Sequence, residues 1–160
     1  MIRDLVVHAD DRGSVRETFR ASWADLPPIR QVVRSESVPH TLRGMHAHRR
    51  QYDVWHFVSG TARVQTYDHR SAEHSVYDLD AGSTLIIPPG VSHGFYTATG
   101  CILVYLLTEE YDRDAPDEHE WYAFDDPVGA HWFDAWPEDL YLSQRDQWSP
   151  TLEEFTRRWG

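Results

Sequence analysis

Residues 42–60 read LRGMHAHRRQYDVWHFVSG, and they place two histidines, His46 and His48, one residue apart ahead of a strand-like run. Such a pair has three readings. An imidazole titrates near neutral pH and can take a proton from carbon with a companion group nearby. Two imidazoles can also be part of a metal ligand set. Or both are polar positions on a solvated strand. The period of a strand puts His46 and His48 on one face whichever reading holds.

Composition narrows the chemistry. The chain has 160 residues, the size of one ordinary domain, and residues 1–160 are read as one. No apolar run approaches the ~20 residues of a membrane span, so no membrane partner is expected. The N-terminus, MIRDLVVHADDRGS, lacks a basic segment followed by a long apolar stretch. The single cysteine, Cys101, sits in the strand-like CILVYLL and can form no internal disulfide. Both features predict a cytoplasmic protein. A net charge of −11 argues against nucleic acid as a partner, because that binding rests on a basic surface. A small anion such as a nucleotide diphosphate needs only a few focused arginines. All 15 basic residues are arginine, so Schiff-base chemistry is excluded, as is a lysine ammonium beside a developing oxyanion.

The elements that must position these groups are strands. IRQVVRSES, DVWHFVSG, ARVQTYDHR, HSVYDLDAG, STLIIPPG, HGFYTAT and CILVYLLTEE follow one another at the spacing of an all-β sandwich or barrel. Gly60, Gly82, Gly90 and Gly100 punctuate them as turns. After residue 108 the chain becomes acidic and Trp-rich, which predicts an irregular segment packed across the barrel. The tail SPTLEEFTRRWG predicts a short C-terminal helix with Ser149 as N-cap, Pro150 at the first helical position, and Glu153 and Glu154 in the first turn.

Two spacings are more specific. One is His46, one residue, His48, four residues, Asp53, six residues, Gly60; the other is Gly82, five residues, Pro88, one residue, Gly90, two residues, His93. Together they resemble the two motifs of the cupin superfamily. That resemblance implies a double-stranded β-helix, a small jelly roll, with His46, His48, Asp53 and His93 facing its interior. Three histidines and a carboxylate would suit Fe, Mn, Zn or Ni.

Across roughly residues 10–150 the chain is also similar to the dTDP-4-dehydrorhamnose 3,5-epimerase family, in DDRGSVRETF, SESVPHTLRGMH, IIPPGVSHGF, LVYLLTEEY, FDDP and LSQRD. The resemblance implies epimerisation of a nucleotide-linked 4-keto-6-deoxy sugar, of the dTDP-4-keto-6-deoxyglucose type, at C3, C5 or both. It puts His46 on the base, Asp146 on the carboxylate that orients it, and Tyr105 on the acid across the sugar ring. Arg43, His93, Arg12 and Tyr111 fall on substrate-contacting positions, and Arg145 and His48 are further substrate-binding candidates. The chemistry fits those residue types. A hydrogen α to a ketone needs a base near neutral pH, and inversion needs a proton returned from the opposite face. The resemblance further implies no cofactor and a homodimer built through N-terminal strands.

The departures define the alternatives. The family commonly has a lysine beside the base, and Asp53 stands there instead. A carboxylate next to a forming enolate is unfavourable unless protonated, turned away or neutralised. RGMHAHRR resembles the sugar nucleotide 3,4-ketoisomerases, whose paired histidines would move the ketone instead. A metal-dependent cupin, with a divalent transition metal on His46, His48, Asp53 and His93, is a further reading, and a sugar-binding cupin without catalysis another. His8, His69, His74, His119 and His131 read as solvated, and the acidic run 109–120 as a solvated face.

Overall fold

A computed structural model describes residues 2–3, 6–23 and 25–160 of the chain. Eleven strands are described: β1 (Ile2–Arg3), β2 (Val7–Asp10), β3 (Gly13–Arg16), β4 (Gln31–Ser37), β5 (Thr41–His48), β6 (Asp53–Asp68), β7 (Glu73–Asp80), β8 (Thr84–Ile87), β9 (Val91–Thr97), β10 (Cys101–Leu107) and β11 (Glu118–Glu120). Two short helices follow, α1 (Gln144–Gln147) and α2 (Leu152–Trp159). No helix among the described residues is long and apolar enough to cross a membrane.

The all-β expectation holds, and the sheet curls on itself as a jelly roll does. Strand β6 makes the curl. Its first half, from Asp53, pairs with β8 and β10, and its second half, from Thr61, pairs with β7 and β9. One layer is therefore β1-β8-β6-β10-β4, and the other β7-β6-β9-β5-β11. The sequence pattern predicts two strands here. The chain forms one 16-residue strand, because the turn signal at Gly60 is a bend within a continuous ladder. Gly60 has φ +78°, and a Cβ there would meet the Gly100 carbonyl oxygen at 2.1 Å, so only glycine fits the corner.

Each layer alternates its side chains, which yields two apolar clusters. Trp55, Phe57, Val64, Leu85, Phe95 and Leu103 fill the space between the layers. Leu42, Met45, Ala47 and Tyr96 point the other way, out of the β5–β9 face, and meet Trp121, Val128, Trp132 and Phe155. This second cluster explains the Trp-rich segment. It covers an outer sheet face, with Trp121 and Trp132 fully buried and their indole N–H groups donating to Ser92 Oγ at 2.8 Å and the Ala123 carbonyl at 2.7 Å.

Two local expectations are corrected. The N-cap of α2 is Thr151, whose hydroxyl accepts from the Glu154 amide while the Glu154 carboxylate accepts from the Thr151 amide. Pro150 therefore lies before the helix, and the Ser149 hydroxyl donates to the Arg145 carbonyl. The acidic run is also not uniformly solvated: Asp117 accepts from the amides of Arg50 and Gln51, and Glu118 and Glu120 pair along β5.

Candidate active site

A cavity of about 410 Å³ opens between the layers at one end of the barrel. Strand β5 supplies Arg43, His46 and His48 to it, and β9 supplies His93 opposite His46. Strict alternation would separate Arg43 from His46. The β5–β9 ladder slips between them, which brings both to the cavity. Gly44 and Gly94 make the slip fit, since a Cβ on Gly44 would stand 2.6 Å from the Gly94 Cα. From the other layer, Asp53 and Trp55 of β6 and Tyr105 of β10 line the same space, with Tyr105 and Trp55 directly paired.

His46 and Asp146 form the polar centre. Ring nitrogen Nε2 lies 3.0 Å from Oδ1 of Asp146. The carboxylate can only accept, so Nε2 carries the hydrogen and Nδ1 is the free basic nitrogen. Asp146 is buried in the first turn of α1 and held by the helix cap: its amide donates to Ser143 Oγ at 3.0 Å, and that hydroxyl donates to Oδ2 at 2.8 Å. Burial alone would lower the pKa of His46. The hydrogen bond that Nε2 donates to Asp146 and the charges of Glu118 and Asp146 outweigh it, so the pKa stands above the ordinary value. Burial would raise the pKa of Asp146, but His46, the Ser143 hydroxyl and Arg145 together outweigh it and pull the carboxyl below its usual range.

Two glutamates of β11 lie beside this pair. Glu118 Oε2 stands 3.9 Å from Nδ1 of His46. Arg145 bridges Glu118 at 2.5 Å and Glu120 at 2.8 Å, and its Nη2 lies 3.4 Å from His46 Nε2. Reading the acidic run as solvated missed these two glutamates. Their signal was their spacing: Glu118 and Glu120 flank His119 in a strand, so both face the same side.

Tyr105 is largely enclosed against Trp55, with ring centroids 5.7 Å apart. Burial raises its pKa, only partly offset by the Ser35 hydroxyl and Arg43, so the phenol keeps its proton throughout the neutral range. Arg43 lines the cavity with Nε donating to Ser37 Oγ at 3.1 Å. Tyr111 is exposed at the cavity, its amide donating to Gln31 Oε1.

His48, Asp53 and His93 form a separate buried group. His48 Nε2 and His93 Nε2 lie 3.8 and 3.7 Å from the two oxygens of Asp53. Burial depresses the pKa of His93 to about 4, against the pull of Asp53, so its ring is neutral at pH 7. The four residues of the cupin-like set therefore divide, with His46 turned to Asp146 and the other three clustered.

Arg12 is not brought to this cavity. It lies in the turn of the exposed β2–β3 hairpin, where Asp10 holds its guanidinium. Of the histidines read as solvated, His69 is half-buried between Tyr67 and Phe155 with Nε2 2.6 Å from Ser92 Oγ. His74 likewise reaches Gln65 Oε1 at 2.7 Å. Neither lines the cavity.

A histidine–carboxylate pair on one layer and a protonated tyrosine on the other face each other across an arginine-lined cavity in a jelly roll, an arrangement able to take a proton on one side of a bound molecule and give one on the other. Comparison with known proteins narrows the class. The dTDP-4-dehydrorhamnose 3,5-epimerase model matches residues 1–154, and the chain belongs to that family of sugar nucleotide epimerases. It is 34% identical over 140 residues to the spore coat polysaccharide biosynthesis protein SpsL of Bacillus subtilis, covering 82% of this chain and 93% of SpsL. Among solved structures it is similar to the rmlC epimerase of Mycobacterium tuberculosis, with TM-score 0.85, 25% identity, and 99% and 86% of the two chains covered. ChmJ, a 3'-monoepimerase from Streptomyces bikiniensis in complex with dTDP-quinovose, gives TM-score 0.82 at 28% identity, with 99% and 86% covered.

Proposed function

We propose that this member of the family epimerises a dTDP-linked 4-keto-6-deoxy sugar next to its ketone, with His46 as base and Tyr105 as the opposite acid. The observation that carries the reading is that the two groups come from opposite layers of the barrel onto one cavity. Inversion needs a proton removed on one face of the carbon and delivered on the other, which two groups on one strand could not do.

The steps follow from the side chains. His46 Nδ1 takes the α hydrogen while Nε2 keeps its hydrogen bond to Asp146, which stabilises the imidazolium as it forms. Negative charge then gathers on the former ketone oxygen, with Arg43 as the nearby cationic side chain of β5. The Tyr105 hydroxyl returns a proton to the far face and regains one from solvent. Base and acid are both supplied by the chain, so these proton transfers call for no organic cofactor. The dTDP-quinovose complex of ChmJ supports a thymidine diphosphate sugar as substrate.

Ketone migration by paired histidines is less well supported. His48 Nδ1 lies 3.0 Å from the Asp117 carbonyl, and its Nε2 meets Gln51 Nε2 at 3.3 Å, so both nitrogens are engaged. A homodimer and a cytoplasmic site of action belong to the same reading. Val7 and Val15 on the β2–β3 hairpin are exposed apolar surface that a second copy would cover, and a role for Arg12 at substrate requires that hairpin to reach the other copy's cavity.

The test is product identity. Protein incubated with dTDP-4-keto-6-deoxyglucose and then reduced with borohydride should yield sugars inverted at C3, C5 or both by NMR. Recovery of only unchanged configuration, or of a 3-keto sugar, would overturn the proposal.

A further inference from the structure

The buried polar group left out of the proton-transfer mechanism is rich in acceptors and short of donors. Asp53 and His93 are only 5% and 3% exposed. The Gln51 amide donates to Asp53 Oδ1 at 2.6 Å and lies 3.3 Å from His48 Nε2, so one amide group serves both. The Trp55 indole donates to Asp53 Oδ2 at 3.1 Å. A carboxylate has about four lone-pair sites, and these bonds fill one on each oxygen. His93 Nδ1 lies 3.0 Å from the Val91 carbonyl, which only accepts, so the ring hydrogen sits there and Nε2 presents a lone pair. That nitrogen makes no hydrogen bond among the described residues, and its 3.7 Å separation from Asp53 Oδ2 is too long for one. Two buried acceptors therefore border the cavity with no donor of the chain between them.

Their place along the barrel decides which part of a sugar they meet. On β10, Leu107 pairs with Asp53, Tyr105 with Trp55, and Cys101 with Ser37, whose hydroxyl accepts from Arg43 Nε at 3.1 Å. Arg43 and Asp53 thus stand on opposite sides of Tyr105, and they come from opposite layers. A ketone oxygen that gathers negative charge is favoured beside the guanidinium and disfavoured beside the carboxylate. The diphosphate is repelled by Asp53 for the same reason. The donors of a 4-keto-6-deoxy sugar are its hydroxyls at C2 and C3, since C4 is the ketone and C6 a methyl. C3 adjoins the ketone, so its hydroxyl moves when that carbon inverts. C2 does not, and its hydroxyl can hold one contact through the whole reaction.

We propose that Asp53 is a specificity-determining residue that accepts a hydrogen bond from the C2 hydroxyl of the sugar, with His93 Nε2 as the second acceptor at the same position. The site then selects sugars that keep this hydroxyl over 2-deoxy sugars, because a missing donor leaves a buried carboxylate and an imidazole nitrogen unpaired. The same contact explains how a carboxylate is tolerated where the family commonly has a lysine. Asp53 meets the hydroxyl edge of the ring, away from the oxygen on which the enolate charge forms. The identity of the ligand rests on the function proposed above.

Calorimetric titration of the full-length protein with dTDP-4-keto-6-deoxyglucose and with its 2-deoxy counterpart tests this. The wild type should bind the 2-deoxy sugar at least about 30-fold more weakly. Asp53→Ala should bring the two affinities within about threefold of each other, by weakening the hydroxylated sugar. Asp53→Asn, which keeps the shape and one acceptor oxygen, should give an intermediate ratio, with circular dichroism confirming that each variant is folded. Equal affinities on the wild type would overturn the proposal, as would an unchanged ratio in both variants. Deuterium exchange into the sugar is scored separately. Discrimination without exchange keeps the hydroxyl contact and removes the epimerase reading, exchange without discrimination does the reverse, and wild type that binds neither sugar removes both.

Discussion

Nε2 of His46 lies 3.0 Å from Oδ1 of Asp146, across a hundred positions of sequence, and the carboxylate is only 4% exposed. Strand β5 brings the imidazole to the cavity wall, and the four-residue helix α1 brings the carboxylate behind it through the Ser143 cap. The pairing leaves one nitrogen free and fixes which one. Asp146→Asn keeps the shape and removes the charge, so kcat should fall by about 10²–10⁴ while affinity for dTDP is unchanged. Steady-state kinetics beside a calorimetric titration of dTDP check both halves.

Tyr105 should separate proton removal from inversion. In Tyr105→Phe the base remains intact but the far-face donor is gone. Solvent deuterium should still enter the sugar, while formation of the inverted product drops about 10²-fold or more. NMR of one reaction mixture measures both.

Glu118 sets the acid limb of the pH profile. Its charge raises the pKa of His46, and His46 must be neutral to act as base. Activity of the wild type should therefore rise with pH through a midpoint above the ordinary imidazole value. Glu118→Gln should move that midpoint down. A pH series of kcat/KM for the two proteins tests the direction.

The sequence made some of this site legible and hid the rest for identifiable reasons. Strand period put His46 and His48 on one face, and the spacing of both motifs placed His93 and Asp53 near them. Arg43 joined the same cavity only through the slip at Gly44 and Met45, which no alternation pattern reveals. Glu118 and Glu120 were hidden in an acidic run, where solvated charge is the ordinary case. The α2 cap was legible in Thr151 and Glu154, but Ser149–Pro150 offered a competing signal two residues earlier. Arg12 could not be placed by sequence, because a hairpin turn says nothing about which cavity it approaches.

Two stability effects follow from the second apolar cluster and its helix. Trp132 is fully buried with its indole bonded to Ala123, so Trp132→Ala should cost about 3–5 kcal/mol. Thr151→Ala removes the capping box of α2 and should cost about 1 kcal/mol. Urea unfolding at neutral pH distinguishes the two.

His69 links that cluster to pH. Burial depresses its pKa to about 4, below the unfolded value of about 6.5. The unfolded chain therefore binds the extra proton first, and this contribution to stability is full above pH 6.5 and lost as pH falls toward 4. The wild type should lose stability over that window, on the order of 2 kcal/mol, by more than His69→Gln does. Urea midpoints at pH 7, 5.5 and 4.5 give the comparison.

The most direct measurement is ¹H NMR of dTDP-4-keto-6-deoxyglucose in D₂O with the wild-type protein and with His46→Asn. The signal at C3, at C5 or at both should disappear as deuterium enters with the wild type, and should persist with the variant. Undiminished exchange in His46→Asn, or no exchange by wild-type protein that binds the sugar nucleotide, would contradict it.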